Sequence, residues 1–359
     1  MNDSRITIDI VCPYGGSKGG VEDVIYSWVQ NLNNDLFEIR VMHMTPGTAY
    51  LHGYEKAYFL KNEIDYVDAN YCASGYNLFL ENLGAPDICI ACNEPFATSA
   101  CRAVLNYSKI DVPLFSWVHT DISRYAISGN GNTYDLLQAD YHLAINSQIK
   151  NEILSNDPKA VVYVIGNPIL HEIPSDISIG DTNTLVYVGR LAMEKRLDLI
   201  IEAIFKAHSF WKLDIIGDGK LMDECKKWIK TLRLGHQVNL LGWKDNPLMY
   251  MKDATAVVSA SDYEGFSLSC IEALAMGKML ISTPVEGIKE YLKEGENGYF
   301  FDFDDADGLA QILDDIASGK KSIASPDICR ESVRAYQKEN YFATIRQILI
   351  DAYKKKTPA

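Results

Sequence analysis

The stretch TLVYVG at 184–189 is followed by RLAMEK at 190–195 and, after Arg196, by LDLIIEAIFKAH at 197–208. The first six residues are a short, nearly unbroken apolar run that ends on glycine. The last twelve carry apolar residues at helical spacing. They read as a strand, a tight connection and an amphipathic helix. A strand that is apolar on both faces and leads into a helix belongs in a parallel sheet, because parallel neighbours need a crossover connection. The pattern recurs downstream in KLDIIG (212–217), VNLLG (238–242), TAVVSAS (255–261) and KMLIST (278–283). Helical stretches at 220–232, 267–276 and 305–317 separate or follow these runs.

A second series lies upstream: ITIDIVC (6–12), FEIRVMHM (37–44), DICIAC (87–92), LFSWVH (114–119), YHLAIN (141–146) and VVYVIG (161–166). Helical stretches at 21–33 and 146–155 fall between its members. Asn167-Pro168 and the polar segment 172–183 interrupt the two series. Two such series in 359 residues imply two doubly wound α/β domains facing each other, over 1–166 and 167–334. Ligands of such sheets bind beyond the carboxyl ends of the strands, here in the cleft between the domains. Val333, Tyr336, Tyr341, Ile345, Ile348, Leu349 and Ala352 form one apolar stripe and predict a long helix over about 330–355. Lys354, Lys355 and Lys356 suit its C-terminal dipole end, as a solvated terminus or as a membrane-touching patch.

Composition excludes several classes. The chain has 34 Lys and Arg against 48 Asp and Glu, a net charge of −14, which argues against a nucleic-acid partner. Residues 1–165 carry 10 basic and 19 acidic residues, so no polybasic membrane anchor is expected on the first domain. MNDSRITIDIVC lacks a basic segment followed by a long apolar run, and no window approaches ~18 consecutive apolar residues. The expected location is cytoplasmic, with peripheral contact at the inner face of the membrane as the variant. The eight cysteines, including Cys89 and Cys92, fall mostly in apolar runs and read as core thiols rather than as a metal or redox pair.

Four constellations can carry chemistry. The loop Pro13–Gly20 has four glycines, Gly15, Gly16, Gly19 and Gly20, between a strand and a helix. It fits neither G-x-G-x-x-G nor a P-loop, and reads equally as a tight turn or as a loop that approaches phosphate. Arg190 and Lys195 follow TLVYVG, where two fixed cations can neutralise a diphosphate. Glu264 precedes a helix that opens near Phe266–Ser267, and Glu272 lies inside it among Ile271, Ala273, Leu274 and Ala275. A carboxylate in that company needs a partner. Sugar hydroxyls would serve; a helix dipole with a buried ion pair is the structural alternative. His119, ending LFSWVH, can donate to a phosphate or sugar hydroxyl. Lesser candidates are Asn146-Ser147, Asn167-Pro168, Gly217-Asp218-Gly219 as a helix-opening turn, and Trp243-Lys244-Asp245, whose indole could flank a nucleobase or simply pack.

These residues, in this order, resemble the retaining family 4 glycosyltransferases of the GT-B fold. The matching pieces are Gly19-Gly20 with Glu22, the VHTD segment at His119, G-R-x4-K at Arg190 and Lys195, G-D-G at 217–219, the E-x7-E pair Glu264 and Glu272, and P-V-x-G at Pro284, Val285 and Gly287. PLFSWVH, ADYHLAINS, LVYVGR and SDYEGFS look especially like bacterial lipopolysaccharide core 1,6-galactosyltransferases. The resemblance implies GT-B architecture, with a C-terminal helix at about 335–359 packing back on the first domain. It implies that Arg190 and Lys195 bind the donor diphosphate and that Glu272 takes the ribose hydroxyls. Glu264 would meet the donor sugar, with Gly265, Phe266, Ser267 and Leu268 near sugar and phosphate. Gly19 and Gly20 would close over the donor, and His119 would contact the sugar. Ser267 stands where the family commonly has glycine, which leaves the sugar identity open.

The implied activity is metal-independent transfer of a hexose, with retention, from UDP-galactose, UDP-glucose or UDP-GlcNAc to a glycan acceptor, lipid-linked or protein-linked, in bacterial surface polysaccharide, lipopolysaccharide or glycoconjugate synthesis. An epimerase or phosphorylase on the same fold, or a non-catalytic partner subunit, are the alternatives. The acceptor is expected on the first domain, where 50–76 and 124–134 read as loops facing the cleft.

Overall fold

Alternating apolar strands and helices form two separate parallel sheets in the computed structural model, which describes residues 5–14, 19–34, 36–46, 57–60, 67–175, 177 and 183–356. The chain divides into an N-terminal unit, Met1–Pro168 with Lys338–Ala359, and a C-terminal unit, Ile169–Gln337.

The N-terminal sheet contains β1 (Ile6–Cys12), β2 (Phe37–His43), β3 (Ala57–Phe59), β4 (Ile88–Cys92), β5 (Leu114–Val118), β6 (Tyr141–Ala144) and β7 (Val162–Val164). Their order is β3-β2-β1-β4-β5-β6-β7, and every pair is parallel. Strand order reverses between β1 and β4, so their carboxyl ends flank the switch point where such sheets open a crevice. Ile8, Ile10 and Val11 are fully buried, as a strand covered by helices on both faces requires.

The C-terminal sheet contains β8 (Thr184–Val188), β9 (Lys212–Ile216), β10 (Val238–Gly242), β11 (Ala256–Ser259), β12 (Met279–Ser282) and β13 (Gly298–Phe300). Its order is β10-β9-β8-β11-β12-β13, again all parallel. Here the switch point lies between β8 and β11. Leu185 and Tyr187 of β8 pack with Leu197, Ile200, Ile201 and Ile204 of the helix Leu197–Lys206 in one core cluster.

The expected C-terminal helix over 330–355 is broken. Pro326–Ser332 and Arg334–Tyr336 are short helical turns, and a separate helix runs over Lys338–Lys356. Gln337 between them is extended, with φ −61° and ψ 139°. The apolar stripe carries the reason: Tyr336 to Tyr341 is a step of five, which leaves the helical face that steps of three and four would keep. The last helix packs within the N-terminal unit, where Trp28 Nε1 donates to Tyr341 Oη at 3.2 Å and the Trp28 and Trp117 rings stack at 4.2 Å. At its end Lys355 lies over the Tyr141 ring at 5.7 Å, and Lys356 pairs with Asp111.

The segments read as loops also carry structure. Within 50–76 lie β3 and the start of the helix Ala69–Leu83; positions 47–56 and 61–66 are outside the described residues. Within 124–134 lie most of the helix Ile122–Ser128 and the start of Thr133–Leu136. β3 and β13, three-residue edge strands, are not among the apolar runs, whereas β7, equally short, lies in the longer apolar run VVYVIG. All eight cysteines are buried free thiols, with Cys72, Cys89 and Cys101 in one apolar cluster.

One charged pair is buried in the N-terminal sheet. Arg40 Nε donates to Asp9 Oδ1 at 2.6 Å, while its other nitrogens donate to the carbonyls of Leu83 (2.7 Å) and Gly84 (3.0 Å). Tyr76 Oη donates to Asp9 Oδ2 at 3.2 Å. Burial pushes the Asp9 carboxyl up to about 6, against the pull of Arg40 and Tyr76. The network fastens β1 and β2 to the end of the helix Ala69–Leu83. Arg40→Ala leaves Asp9 buried without its cation and is expected to cost about 3–5 kcal/mol of unfolding free energy in chemical denaturation; a loss under about 1 kcal/mol would contradict this role.

Candidate active site

In the C-terminal unit the chemistry-bearing loops follow β8 and β11, the two strands at the switch point. The loop after β8 starts at Gly189, whose N–H donates to Ile216 O at 3.0 Å. Tyr187 Oη donates to Arg190 O at 2.8 Å and fixes the turn. Leu191 is fully buried; its N–H donates to Asp218 O at 2.9 Å, and its carbonyl accepts from Leu221 N at 3.0 Å. Gly217 permits this approach. Its φ is +143°, and a Cβ there would fall 1.9 Å from Gly189 O. Asp218 does not cap the next helix, which begins at Met222; its carboxylate accepts from the N–H of Gly219 instead.

Arg190 and Lys195, expected to act as a pair, occupy different environments. The Arg190 side chain is 75% exposed and, among the described residues, pairs with Glu194 at 3.3 Å. Lys195 is mostly buried, and its Nζ lies 2.6 Å from Glu264 Oε1. Ser261 Oγ donates to the same oxygen at 2.9 Å. A second tie joins the loops, since Asp262 N–H donates to Glu194 O at 2.9 Å. Arg196 adds ion pairs to Asp198 (3.0 Å), Asp262 (3.4 Å) and Asp304, and its hydrogen bonds to Asp198 and Asp304 raise its pKa further. The sequence reading passed over Arg196, whose φ of +48° marks a tight turn.

Behind Glu264, Gly287 lets the P-V-x-G segment close on the loop: a Cβ there would lie 2.3 Å from Gly265 O. Phe266 is buried and meets Tyr291 and Tyr336 edge-on, at 5.3 and 4.8 Å between ring centroids. Ser267 is the N-cap residue of the helix Leu268–Ala275 but makes no side-chain cap; its Oγ lies 3.4 Å from Ser269 Oγ. Glu272 is buried at 3% exposure. Its partner in the chain is His171, which no local signal revealed: the ring Nδ1 lies 2.7 Å and the backbone N 3.2 Å from Glu272 Oε1. Trp243 stands 56% exposed, with its Nε1 3.3 Å from Asp245 Oδ1. Among the described residues no three His, Cys, Asp or Glu side chains are grouped to hold a metal ion.

In the N-terminal unit Gly19 is the N-cap residue of the helix Gly20–Leu32, and Gly20 is its exposed first residue. Gly15, Gly16, Ser17 and Lys18 lie outside the described residues. His119 follows β5. It is buried, with its ring 4.7 Å from the Trp117 ring and its Nε2 3.9 Å from Cys92 Sγ. Tyr125 Oη accepts from His119 N (3.3 Å) and donates to Asn93 Oδ1 (3.0 Å). Glu94, after β4, is a further buried carboxyl that the sequence reading did not select; burial pushes it up to about 7, with Asn130 and Asn93 opposing. Asn93, with φ +70°, turns the chain at this point.

Burial holds His119 down at about 3 from its ordinary 6.5. The unfolded chain protonates this ring near pH 6.5 and the folded chain does not. Its contribution is therefore present above about 6.5 and lost as pH falls toward 3. Between pH 7.5 and 5, wild type should lose about 2 kcal/mol more stability than His119→Asn. Equal losses in denaturation at the two pH values would refute a buried neutral imidazole.

Comparison with known proteins bears on the fold and on the C-terminal domain. The family described as glycosyl transferases group 1 matches residues 171–335. The lipopolysaccharide 1,6-galactosyltransferase of Escherichia coli (strain K12) is 28% identical over 282 residues, 76% of either chain. The apo form of the lipopolysaccharide outer core galactosyltransferase WaaB superposes with a TM-score of 0.82 at 23% identity, over 96% of this chain and 99% of that one. Anabaena Alr3699/HepE in complex with UDP gives 0.78 at 17% identity, over 97% and 100%. The chain therefore has the GT-B fold and carries, at residues 171–335, a glycosyl transferases group 1 domain.

Proposed function

We propose that this chain is a retaining, metal-independent hexosyltransferase that moves a hexose from a UDP-sugar to a glycan acceptor in bacterial surface polysaccharide or lipopolysaccharide synthesis, on the cytoplasmic side. The observation that carries the reading is the Lys195–Glu264 pair at the carboxyl end of the C-terminal sheet, 2.6 Å apart and largely shielded from water. The similarity to a lipopolysaccharide 1,6-galactosyltransferase and to a fold solved with UDP supports the substrate class. Among the described residues no helix is long and apolar enough to cross a membrane.

An ammonium has three N–H donors. One meets Glu264, which leaves two for oxygens of the donor diphosphate. Exposed Arg190, on the same loop, can swing toward the same charge. Glu264 Oε1 is occupied by Lys195 and Ser261, so its Oε2 is left to accept a hydroxyl of the donor sugar. The bond from the anomeric carbon to the leaving phosphate breaks while the bond to the acceptor oxygen forms on the same face. The acceptor's proton passes to a phosphate oxygen. Negative charge grows on the phosphate as the bond breaks, so Lys195 and Arg190 bind the transition state more strongly than the ground state. We assign Glu272 to the ribose, Gly265, Phe266, Ser267 and Leu268 to sugar and phosphate, and Trp243 to the base. His119, Gly19 and Gly20 are assigned to contacts with the donor.

Release of UDP from UDP-galactose, UDP-glucose and UDP-GlcNAc, measured with a panel of glycan acceptors, tests the reading. Lys195→Ala and Glu264→Ala should each lower kcat by about 10²–10³ in protein that remains folded. Arg190→Ala should lower it as well, though less, because its side chain is free to be replaced by water and salt. Full activity in all three variants would overturn the reading.

A further inference from the structure

The partner of Glu272 lies at the very start of the C-terminal unit. Glu272 sits in the helix Leu268–Ala275, where Ile271, Ala273, Leu274 and Ala275 are also buried. A carboxylate there needs hydrogen-bond donors. Among the described residues His171 supplies them twice, through its backbone N–H and its ring, and both converge on Oε1. The ring contact of 2.7 Å places the hydrogen on Nδ1, which the neutral Nδ1–H tautomer and the imidazolium both provide. Two donors on one oxygen stop the carboxylate from rotating and leave Oε2 as its open acceptor.

His171 is itself held in place. Two residues earlier, Ile169 is buried and its N–H donates to Tyr336 O at 2.8 Å. The Tyr336 ring meets Phe266 at 4.8 Å, and Phe266 lies two residues before the helix that bears Glu272. The segment entering the unit is therefore fastened near the start of that helix through Phe266 and Tyr336, and within it through Glu272.

We infer that His171 is a positioning residue that presents Glu272 Oε2 to the ribose hydroxyls of the nucleotide, and so gives the protein its preference for a ribonucleotide over a deoxyribonucleotide. The inference rests on the assignment of Glu272 to the ribose. The 2′-hydroxyl can donate to a fixed carboxylate oxygen, whereas a 2′-deoxyribose has nothing to offer there. Hydrogen bonds to charged groups are strong enough for a preference of roughly tenfold or more.

Calorimetric titration with UDP and with 2′-deoxy-UDP, on wild type, Glu272→Ala, His171→Ala and His171→Asn, tests it. Wild type should prefer UDP by roughly tenfold or more. Glu272→Ala and His171→Ala should both bring the preference close to one. His171→Asn should restore most of it, because the Asn Nδ2 stands where the ring Nδ1 does. A merely structural role for His171 would change melting temperature without changing this ratio. If Glu272→Ala keeps the preference, the ribose assignment fails and the inference with it. If Glu272→Ala abolishes it while His171→Ala keeps it, or binds UDP more tightly than wild type, the assignment stands and the inference about His171 is wrong.

Discussion

The short ion pair from Lys195 Nζ to Glu264 Oε1, at 2.6 Å, joins the loops after β8 and β11, beside the bond from Asp262 N–H to Glu194 O and the Arg196–Asp262 ion pair. Strand order places the two carboxyl ends side by side at the switch point. Gly217 lets the loop after β9 close on Gly189, and Gly287 lets the chain after β12 close on Gly265. Ser261, one residue before Asp262 and three before Glu264, donates its hydroxyl to Glu264 and accepts at its carbonyl from Thr283 Oγ1. Removing either charge would leave the other partly desolvated and unpaired, a larger penalty than the pair's own net contribution. The pair is thus a local fastening that also keeps one cation and one carboxylate at fixed positions.

Electrostatics in this acidic chain follow from neighbours more than from composition. Arg196 is bound to three aspartates and Arg40 to a buried one, so neither is available to a ligand. Arg190 pairs with Glu194, four positions on, and its side chain stays 75% exposed. Burial acts in both units: it keeps His119 neutral and lifts Glu94 to about 7 in the N-terminal unit, and it lowers Lys278 to about 8 in the C-terminal unit.

Most of the strand framework was legible in the sequence because buried parallel strands are short apolar runs, and β1, β10 and the carboxyl-end motifs stand where the pattern puts them. The helix carrying Glu272 was legible too, through its spacing and its opening at Ser267. What escaped was long-range or short. His171 and Glu272 are 101 positions apart, and nothing near either residue announces the other. Lys195 and Glu264 are 69 apart; the sequence named both residues but assigned them to separate tasks. The break before the C-terminal helix lies in the step of five from Tyr336 to Tyr341, which the apolar stripe on either side conceals. The exposure of Arg190 was hidden as well, since a strand end fixes where a residue starts but not where a long side chain finishes.

The central claim is that a donor diphosphate binds at the Lys195–Glu264 pair. A crystal structure of the chain with bound UDP tests it most directly. Diphosphate oxygens should lie within hydrogen-bonding distance of Lys195 Nζ, with the ribose hydroxyls at Glu272. UDP bound elsewhere, with Lys195 remote from every phosphate oxygen, would contradict it.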